Sequence, residues 1–443
     1  MAGAVAAERS EQAACPIPGG LARGGNRPSA ASWPPRSAYL HIPFCHRRCF
    51  YCDFPVVPLG DRAGAAPGQP GSASIAHYLA QLLEEIGAAP AGPPLSTVYV
   101  GGGTPSLLAP SQLQQLLGAL RRRYGIAPGA ELTLELDPAS FDQNHLQGYL
   151  AAGINRVSLG VQSFDDAVLA QLGRRHRLTD VQEAADWLRA AQGRGQLSSW
   201  SLDLIQALPG QTLGGWRQQL RQALTLGPPH LSIYDLIVEP GTVFERLERR
   251  GQLDLPEHDL AADLQECSVA QLAAAGYGHY EISNYALPGH ASRHNRVYWS
   301  GAGWWGFGLG ATSAPWGLRQ ARPRTREAYG AWLQQTLQQG EAFAEALGDG
   351  MPFDERVLVG LRRREGVALQ ALADQAGVSA PALAALCRRW QPFVEQGLLR
   401  REGPRWRLSD PEGLALSNAV LRELMGWWEA WEPVAAAGPP PSP

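Results

Sequence analysis

The sequence predicts an α/β fold: a partial (β/α)6 barrel followed by a small C-terminal winged-helix-like domain. Two observations support the barrel, six short apolar runs typical of β-strands and a helical pattern after each of them. Strands that alternate with helices form parallel sheets through right-handed crossovers. Near-continuous apolar strands indicate that both faces of the sheet are covered. A third observation, a change of sequence texture near Phe353, separates the second domain.

The six predicted strands lie between residues 38 and 238. They are AYLHI from Ala38, STVYV from Ser96, ELTLEL from Glu131, NRVSLGV from Asn155, WSLDLI from Trp200 and HLSIYDLIV from His230. Among the predicted helices, SQLQQLLGALRRRYG opens with Ser111 as its cap and closes on Gly125. In barrels of this kind the chemistry lies at the carboxyl ends of the strands.

The remaining stretches set the domain boundaries. GDRAGAAPGQPGSAS, from Gly60 to Ser74, is predicted to be a surface loop. Beyond Phe353, two helices broken near Gly377, a hairpin and a last helix give the winged-helix outline. The predicted segments are a disordered extension (1–36), the barrel domain (37–345), the winged-helix-like domain (346–432) and a disordered tail (433–443).

Composition excludes several classes of protein. The net charge of −3 argues against a nucleic-acid partner, and acidic residues interleave with the arginines of the C-terminal domain. We find neither a run of 18 apolar residues nor a signal peptide, so no membrane span is expected. Six cysteines are too few for a secreted disulfide scaffold, which predicts a cytoplasmic protein with reduced thiols.

Half of those cysteines lie within eight positions. HIPFCHRRCFYCDF, from His41 to Phe54, contains Cys45, Cys49 and Cys52. Three interpretations are open: ordinary buried thiols, a zinc site completed by His41 or His46, or an iron–sulfur cluster with one iron lacking a cysteine ligand. In the last case, three thiolates of a [4Fe–4S] cluster leave the fourth iron open to a small chelating ligand.

Polar and glycine residues follow the next strands at the same predicted end. VYVGGGTPS ends a strand in three glycines, which let the backbone approach a ligand closely. Glu135, Gln162, Arg174 and Asp203 come near the ends of later units. Each could be a satisfied cap or a salt-bridge member, but together they indicate one site.

The CX3CX2C spacing, with Tyr51 before the last cysteine, resembles the radical S-adenosylmethionine superfamily. With GGGTPS, GINRVSLGVQSFDD, SLDLIQALPGQT, YEISNYA and RHNRVYW, the chain resembles the oxygen-independent coproporphyrinogen III oxidase family from about Tyr39 to Met425. The resemblance implies a [4Fe–4S] cluster on Cys45, Cys49 and Cys52, with S-adenosylmethionine on the open iron. It also implies a cofactor cradle, formed by Tyr39, Tyr51, Gly102, Gly103, Thr104, Glu135, Gln162, Arg174, Asp203 and Ile237.

The chain more closely resembles the haem-chaperone branch of that family. Oxidases carry a further cysteine two positions after the third cluster ligand, where this chain has Phe54. The branch also has an HNxxYW motif, present here as HNRVYW from His294. This resemblance implies a haem carrier with a binding region near 281–313 and His294 as the iron ligand. From residue chemistry alone, His294 could instead be a core histidine beside aromatic rings.

The resemblance implies haem delivery to an acceptor haemoprotein, with the membrane surface as one place for it. The roles of the cluster and cofactor in a carrier stay open: they could assemble a homodimer, gate haem release or support a radical reaction. The alternative functions are oxidative decarboxylation of coproporphyrinogen III and modification of nucleic acid by radical chemistry. Gln206-Ala207 and Thr312 depart from the family pattern, which has glycine and histidine at positions 207 and 312.

Overall fold

The structure, a computed structural model, describes residues 34–64, 70–339 and 350–436. Most of the predicted disordered extension (1–36) and of the predicted tail (433–443) lies outside the described residues. Residues 433–436 belong to the last helix. Among the described helices, none combines the length and apolar character that crossing a membrane requires.

All six predicted strands are present and form the centre of one parallel sheet. They are β1 (Ser37–Ile42), β2 (Leu95–Gly102), β3 (Ile126–Leu136), β4 (Arg156–Gln162), β5 (Ser199–Gln206) and β6 (His230–Asp235). Each strand pairs in parallel with the next one in chain order. The α/β fold with a parallel-sheet core is therefore confirmed.

Three short strands that the sequence did not predict extend the sheet to nine strands. Beyond β6, β7 (Gly278–Glu281) and β8 (Asn284–Ala286) form an antiparallel hairpin, with β8 next to β6. At the opposite edge, β9 (Trp305–Phe307) pairs in parallel with β1. The sheet thus runs from β9 through the six central strands to β7.

Helices follow the central strands and cover the sheet. They are α1 (Pro70–Ala88), α2 (Pro110–Arg123), α3 (Gln143–Ala152), α4 (Asp166–Gln171), α5 (Leu178–Gly193), α6 (Leu213–Leu226), α7 (Val243–Glu248), α8 (His258–Ala274), α9 (Arg293–Ser300) and α10 (Arg326–Gln339). The predicted loop from Gly60 to Ser74 is wrong at both ends, because a 3-10 helix occupies Gly60–Gly64 and α1 begins at Pro70.

The start of α2 also differs from the prediction. Ser111 lies inside the helix, which Ala109 caps. The Gln112 side chain accepts a hydrogen bond from the Ala109 backbone N–H at 2.9 Å, and Pro110 at the first helical position has no N–H to satisfy. Gly125 follows the helix with a positive φ, as predicted for its end.

A buried ion pair joins α1 to the later part of the barrel. The Glu85 carboxylate is fully buried and accepts hydrogen bonds from Arg322 Nε at 2.7 Å and Tyr329 Oη at 2.8 Å. It also accepts the backbone N–H of Gly308 at 2.7 Å. These bonds fix the chain that follows β9 onto α1.

The C-terminal elements follow the predicted order and have their own core. They are α11 (Phe353–Leu361), α12 (Leu369–Ala376), α13 (Ala380–Glu395), β10 (Leu399–Glu402), β11 (Arg405–Leu408), α14 (Glu412–Ala415) and α15 (Ser417–Ala436). Gly377, in the left-handed conformation, ends α12 where the sequence predicted a break. Trp390 and Leu424 are buried in this core.

Candidate functional site

A cavity of about 430 Å³ lies at the carboxyl ends of the central strands. One border is the cysteine loop, the segment after β1 that contains Cys45, Cys49 and Cys52. Another is the segment after β6, with Leu236 and Ile237. The structure brings twelve of the fourteen predicted site residues to its wall: Cys45, Cys49, Tyr51, Cys52, Gly102, Gly103, Thr104, Glu135, Gln162, Arg174, Asp203 and Ile237. Only Tyr39 and His294 do not line it.

The cysteine loop is held in place by backbone pairing. Phe44–Cys45 pairs in parallel with Val57–Pro58, so the loop returns to its own starting point. Farther along, the Arg47 guanidinium donates to the Gly173 carbonyl at 2.6 Å. These contacts present the three thiols to one cavity.

All three thiols are free. Burial raises the pKa of Cys45 to about 12. Arg174 Nη1 lies 3.7 Å from the Cys49 Sγ, which places a positive charge where thiolate ligands would need one. In the part of the chain that the structure describes, no three His, Cys, Asp or Glu side chains are arranged to hold a single metal ion.

Gly101 and Gly102, the last two residues of β2, are required by packing within the protein itself. A Cβ at Gly101 would lie 2.8 Å from Glu135 Oε1, and a Cβ at Gly102 would lie 2.6 Å from the His41 ring. Gly102 also has a φ of +121°, which side chains disfavour. The predicted reason, close approach of a ligand, is therefore not the only one.

Glu135 is fixed at the end of β3 by two donors. Gly102 N–H and the Tyr99 hydroxyl each donate to it at 2.9 Å. Burial raises the pKa of Glu135 to about 7, although both hydrogen bonds act in the opposite direction. The carboxyl therefore titrates near neutral pH. Tyr99, which the sequence analysis missed, also lines the cavity.

Asp137 is a second residue that the sequence analysis missed. It lines the cavity and accepts a hydrogen bond from Arg174 Nη2 at 2.7 Å. Burial alone would raise the pKa of Asp137, but Arg174 and His176 outweigh it and lower the pKa to about 2. The signal was available, because Asp137 directly follows the carboxyl end of β3, where the site was expected.

Asp203 lies on β5 and lines the cavity. Ser158 Oγ donates to its carboxylate at 2.7 Å, and burial raises the pKa of Asp203. Gln162, at the end of the neighbouring strand, has a φ of +66°, a left-handed conformation uncommon outside glycine. Such backbone strain is concentrated at functional sites.

The family departure at Gln206-Ala207 lies beside the same cavity. Gln206 Nε2 donates to Asp235, which lines the cavity, at 2.7 Å, and Gln206 Oε1 accepts from Ser268 Oγ at 3.0 Å. Ala207 has a φ of +58°, so it occupies the backbone conformation that a glycine would adopt without strain.

Tyr39 and His294 lie behind the cavity wall. The Tyr39 ring stacks on Tyr99 at a centroid distance of 6.2 Å. His294 is fully buried, with Nδ1 hydrogen-bonded to Thr97 Oγ1 at 2.9 Å and Nε2 to Tyr298 Oη at 2.8 Å. Burial lowers the pKa of His294 to about 3, so its ring is neutral. Haem ligation by His294, which stays a prediction, would first have to break one of these hydrogen bonds.

Two family descriptions match the chain. Residues 39–221 match the Radical SAM superfamily, and residues 353–415 match the HemN C-terminal domain. The first match contains most of β1, the cysteine loop and the strands β2 to β5. The second covers most of the C-terminal core.

Named proteins are similar to the chain over most of its length. Heme chaperone HemW of Synechocystis sp. is 42% identical over 405 residues, which cover 88% of this chain and 96% of that protein. Heme chaperone HemW of Lactococcus lactis is 34% identical, covering 88% and 97%. The Bos taurus protein named "Radical S-adenosyl methionine domain-containing protein 1, mitochondrial" is 32% identical, covering 92% of each chain.

A solved structure has the same fold. The coproporphyrinogen III oxidase HemN from Escherichia coli, described as a radical SAM enzyme, superposes with a TM-score of 0.72. The alignment covers 88% of this chain and 90% of that one at 24% sequence identity. At this identity the likeness shows the fold alone.

Proposed function

The chain belongs to the radical SAM family of the heme chaperone HemW, and from this premise we propose that it is a haem carrier. In this proposal it binds haem, a [4Fe–4S] cluster and S-adenosylmethionine, and it hands haem to an acceptor haemoprotein. The observation that carries the proposal is the 42% identity to a named heme chaperone across 96% of that protein's length.

The cavity residues fit the cluster and the cofactor. Cys45, Cys49 and Cys52 are free thiols on one wall, and Arg174 beside Cys49 would stabilise their deprotonated form. When bound to a reduced cluster, S-adenosylmethionine is a source of the 5′-deoxyadenosyl radical.

The chain's own residues would bind and orient the cofactor. Glu135, near the end of β3, and Asp203, on β5, present hydrogen-bond acceptors toward the cavity, where ribose hydroxyls can donate. The fixed donors on each carboxylate hold its position without a ligand. Ile237, 65% exposed, supplies an apolar edge.

Phe54 favours the carrier over the oxidase. It lines the cluster cavity and is 52% exposed, at the position where the resemblance gives oxidases a further cysteine. A phenyl ring there can neither ligate iron nor exchange a proton. Decarboxylation of coproporphyrinogen III is therefore the second candidate, which the same experiment tests.

The test uses the anaerobically reconstituted full chain. It is incubated with a reductant, S-adenosylmethionine and coproporphyrinogen III, and in parallel it is titrated with haem. We expect saturable haem binding and no protoporphyrinogen beyond the level of a Cys49→Ala control. Formation of protoporphyrinogen above that control would replace the carrier with the oxidase.

A further inference from the structure

A second cavity, of about 700 Å³, lies between the barrel and the C-terminal domain. On the barrel side it is lined by the end of α8 and by the edge hairpin β7–β8. On the side of the C-terminal domain, the cavity is lined by the hairpin β10–β11. Three further residues of that domain also line it: Arg364, Asp410 and Leu414. Its volume is within the range of small-molecule sites, about 300–1,000 Å³.

One part of this cleft is apolar and aromatic. Val269 and Ala273 of α8 and Leu414 of the C-terminal domain line it. Tyr285 is buried in its wall, with the His279 ring stacked on it at a centroid distance of 4.2 Å. Such a surface suits a flat, apolar molecule.

The other part of the cleft carries three arginines, and two of them, Arg364 and Arg400, are exposed. Within the described ranges, no hydrogen bond or ion pair engages the guanidinium of Arg364 or Arg400. Arg407 donates one nitrogen to Glu402, while its Nε is buried and has no hydrogen-bond partner.

The cleft also contains one carboxylate, that of Asp410. It is hydrogen-bonded to His279 Nδ1 at 2.8 Å. Guanidinium groups bind carboxylates in paired hydrogen bonds, so Arg364 and Arg400 are available to a ligand with carboxylates.

We propose that this cleft is the haem site, with the propionates on Arg364 and Arg400 and the macrocycle against the apolar wall. The inference rests on the proposed function, because it identifies where a haem carrier holds its cargo. Haem would then lie in a different cavity from the cluster, whose three cysteines line the cavity at the strand ends. Haem, a planar apolar molecule with two carboxylates, matches both parts of the cleft.

The test compares haem with haem dimethyl ester, whose propionates carry no charge. Both are titrated into the reconstituted wild type and into the double variant Arg364→Gln, Arg400→Gln. The matched control is Arg122→Gln, Arg250→Gln, which removes the same charge from exposed arginines that line neither cavity. A second variant, Arg364→Lys, Arg400→Lys, keeps the charge.

We expect the wild type to prefer haem over the ester by about tenfold, or about 1.4 kcal/mol. The glutamine variant should lose this preference and keep its affinity for the ester. The lysine variant should retain most of the preference for haem over the ester. An unchanged preference in the glutamine variant would contradict the assignment of the cleft as the haem site, while the proposed haem-carrier function would be unaffected. If the wild type binds neither molecule saturably, the proposed function fails, and this inference fails with it.

Discussion

Glu135 makes the stability of this protein depend on pH in a predictable direction. Its carboxyl is held by Gly102 and Tyr99, yet burial raises its pKa from 4.5 to about 7. Between these two values the folded state binds the proton more tightly than the unfolded state does. Stability should therefore fall as pH rises from about 4.5 to about 7, and the full penalty should remain above pH 7.

The Glu135→Gln substitution should remove that penalty. The amide oxygen can accept the Gly102 N–H while the amide nitrogen donates to the Tyr99 hydroxyl, so both contacts are retained in kind. At about 1.4 kcal/mol per pKa unit, the ceiling is about 3 kcal/mol. Since the carboxyl faces an open cavity, we expect about 1–2 kcal/mol at pH 8 and almost none at pH 4.5.

The assay is urea unfolding of wild type and Glu135→Gln at several pH values, in the same cluster state and without S-adenosylmethionine. The quantity of interest is the difference in unfolding free energy, because other titrating groups cancel in it. Glu84→Gln, on the exposed face of α1, is the control and should show no pH-dependent difference. A difference for Glu135→Gln that stays constant or shrinks toward pH 8 would show that folding does not raise the pKa of Glu135.

Three further substitutions test the fold and the cluster site. Ala207→Gly should raise the free energy of unfolding by about 1 kcal/mol, because a residue at φ +58° is relieved of strain; a lower urea midpoint would contradict this. Glu85→Ala should cost about 3–5 kcal/mol by leaving Arg322 buried without its carboxylate, and a loss below 1 kcal/mol in thermal or urea unfolding would be inconsistent with it. Cys49→Ser should lower the iron and sulfide content after reconstitution, whereas Cys267→Ser should not; equal contents would remove Cys49 from the ligand set.

Periodicity located the central sheet because its strands are long, apolar and separated by helices. It missed β7, β8 and β9, which are three or four residues long and pair at the sheet edges. Such short segments carry too little pattern to be distinguished from loops, and their pairing depends on contacts distant in sequence. The helix start at Pro110 was missed for a local reason, since the capping bond comes from Gln112 rather than from a serine.

The site could be predicted as far as strand ends determine it. Glu135, Gln162 and Asp203 meet at one cavity because parallel strands end at the same edge of the sheet. The position of His294 could not be predicted in this way. Its motif does not reveal that the ring is turned toward Thr97 and Tyr298, because that orientation depends on how α9 packs against β2.

The glycine run shows a related limit. The sequence marks positions where side chains are absent, but not which atoms would occupy the space. At Gly101 and Gly102 those atoms belong to Glu135 and His41, within the protein. Only the three-dimensional packing distinguishes this reason from approach of a ligand.

The central claim, that the protein carries haem, is tested most directly by titrating haem into the anaerobically reconstituted wild type and following the absorbance of the bound haem. We expect saturable binding with a fixed stoichiometry. A His294→Ala variant in the same titration shows whether that ring contributes. An absorbance that rises linearly without saturation, as haem in free solution gives, would contradict the claim.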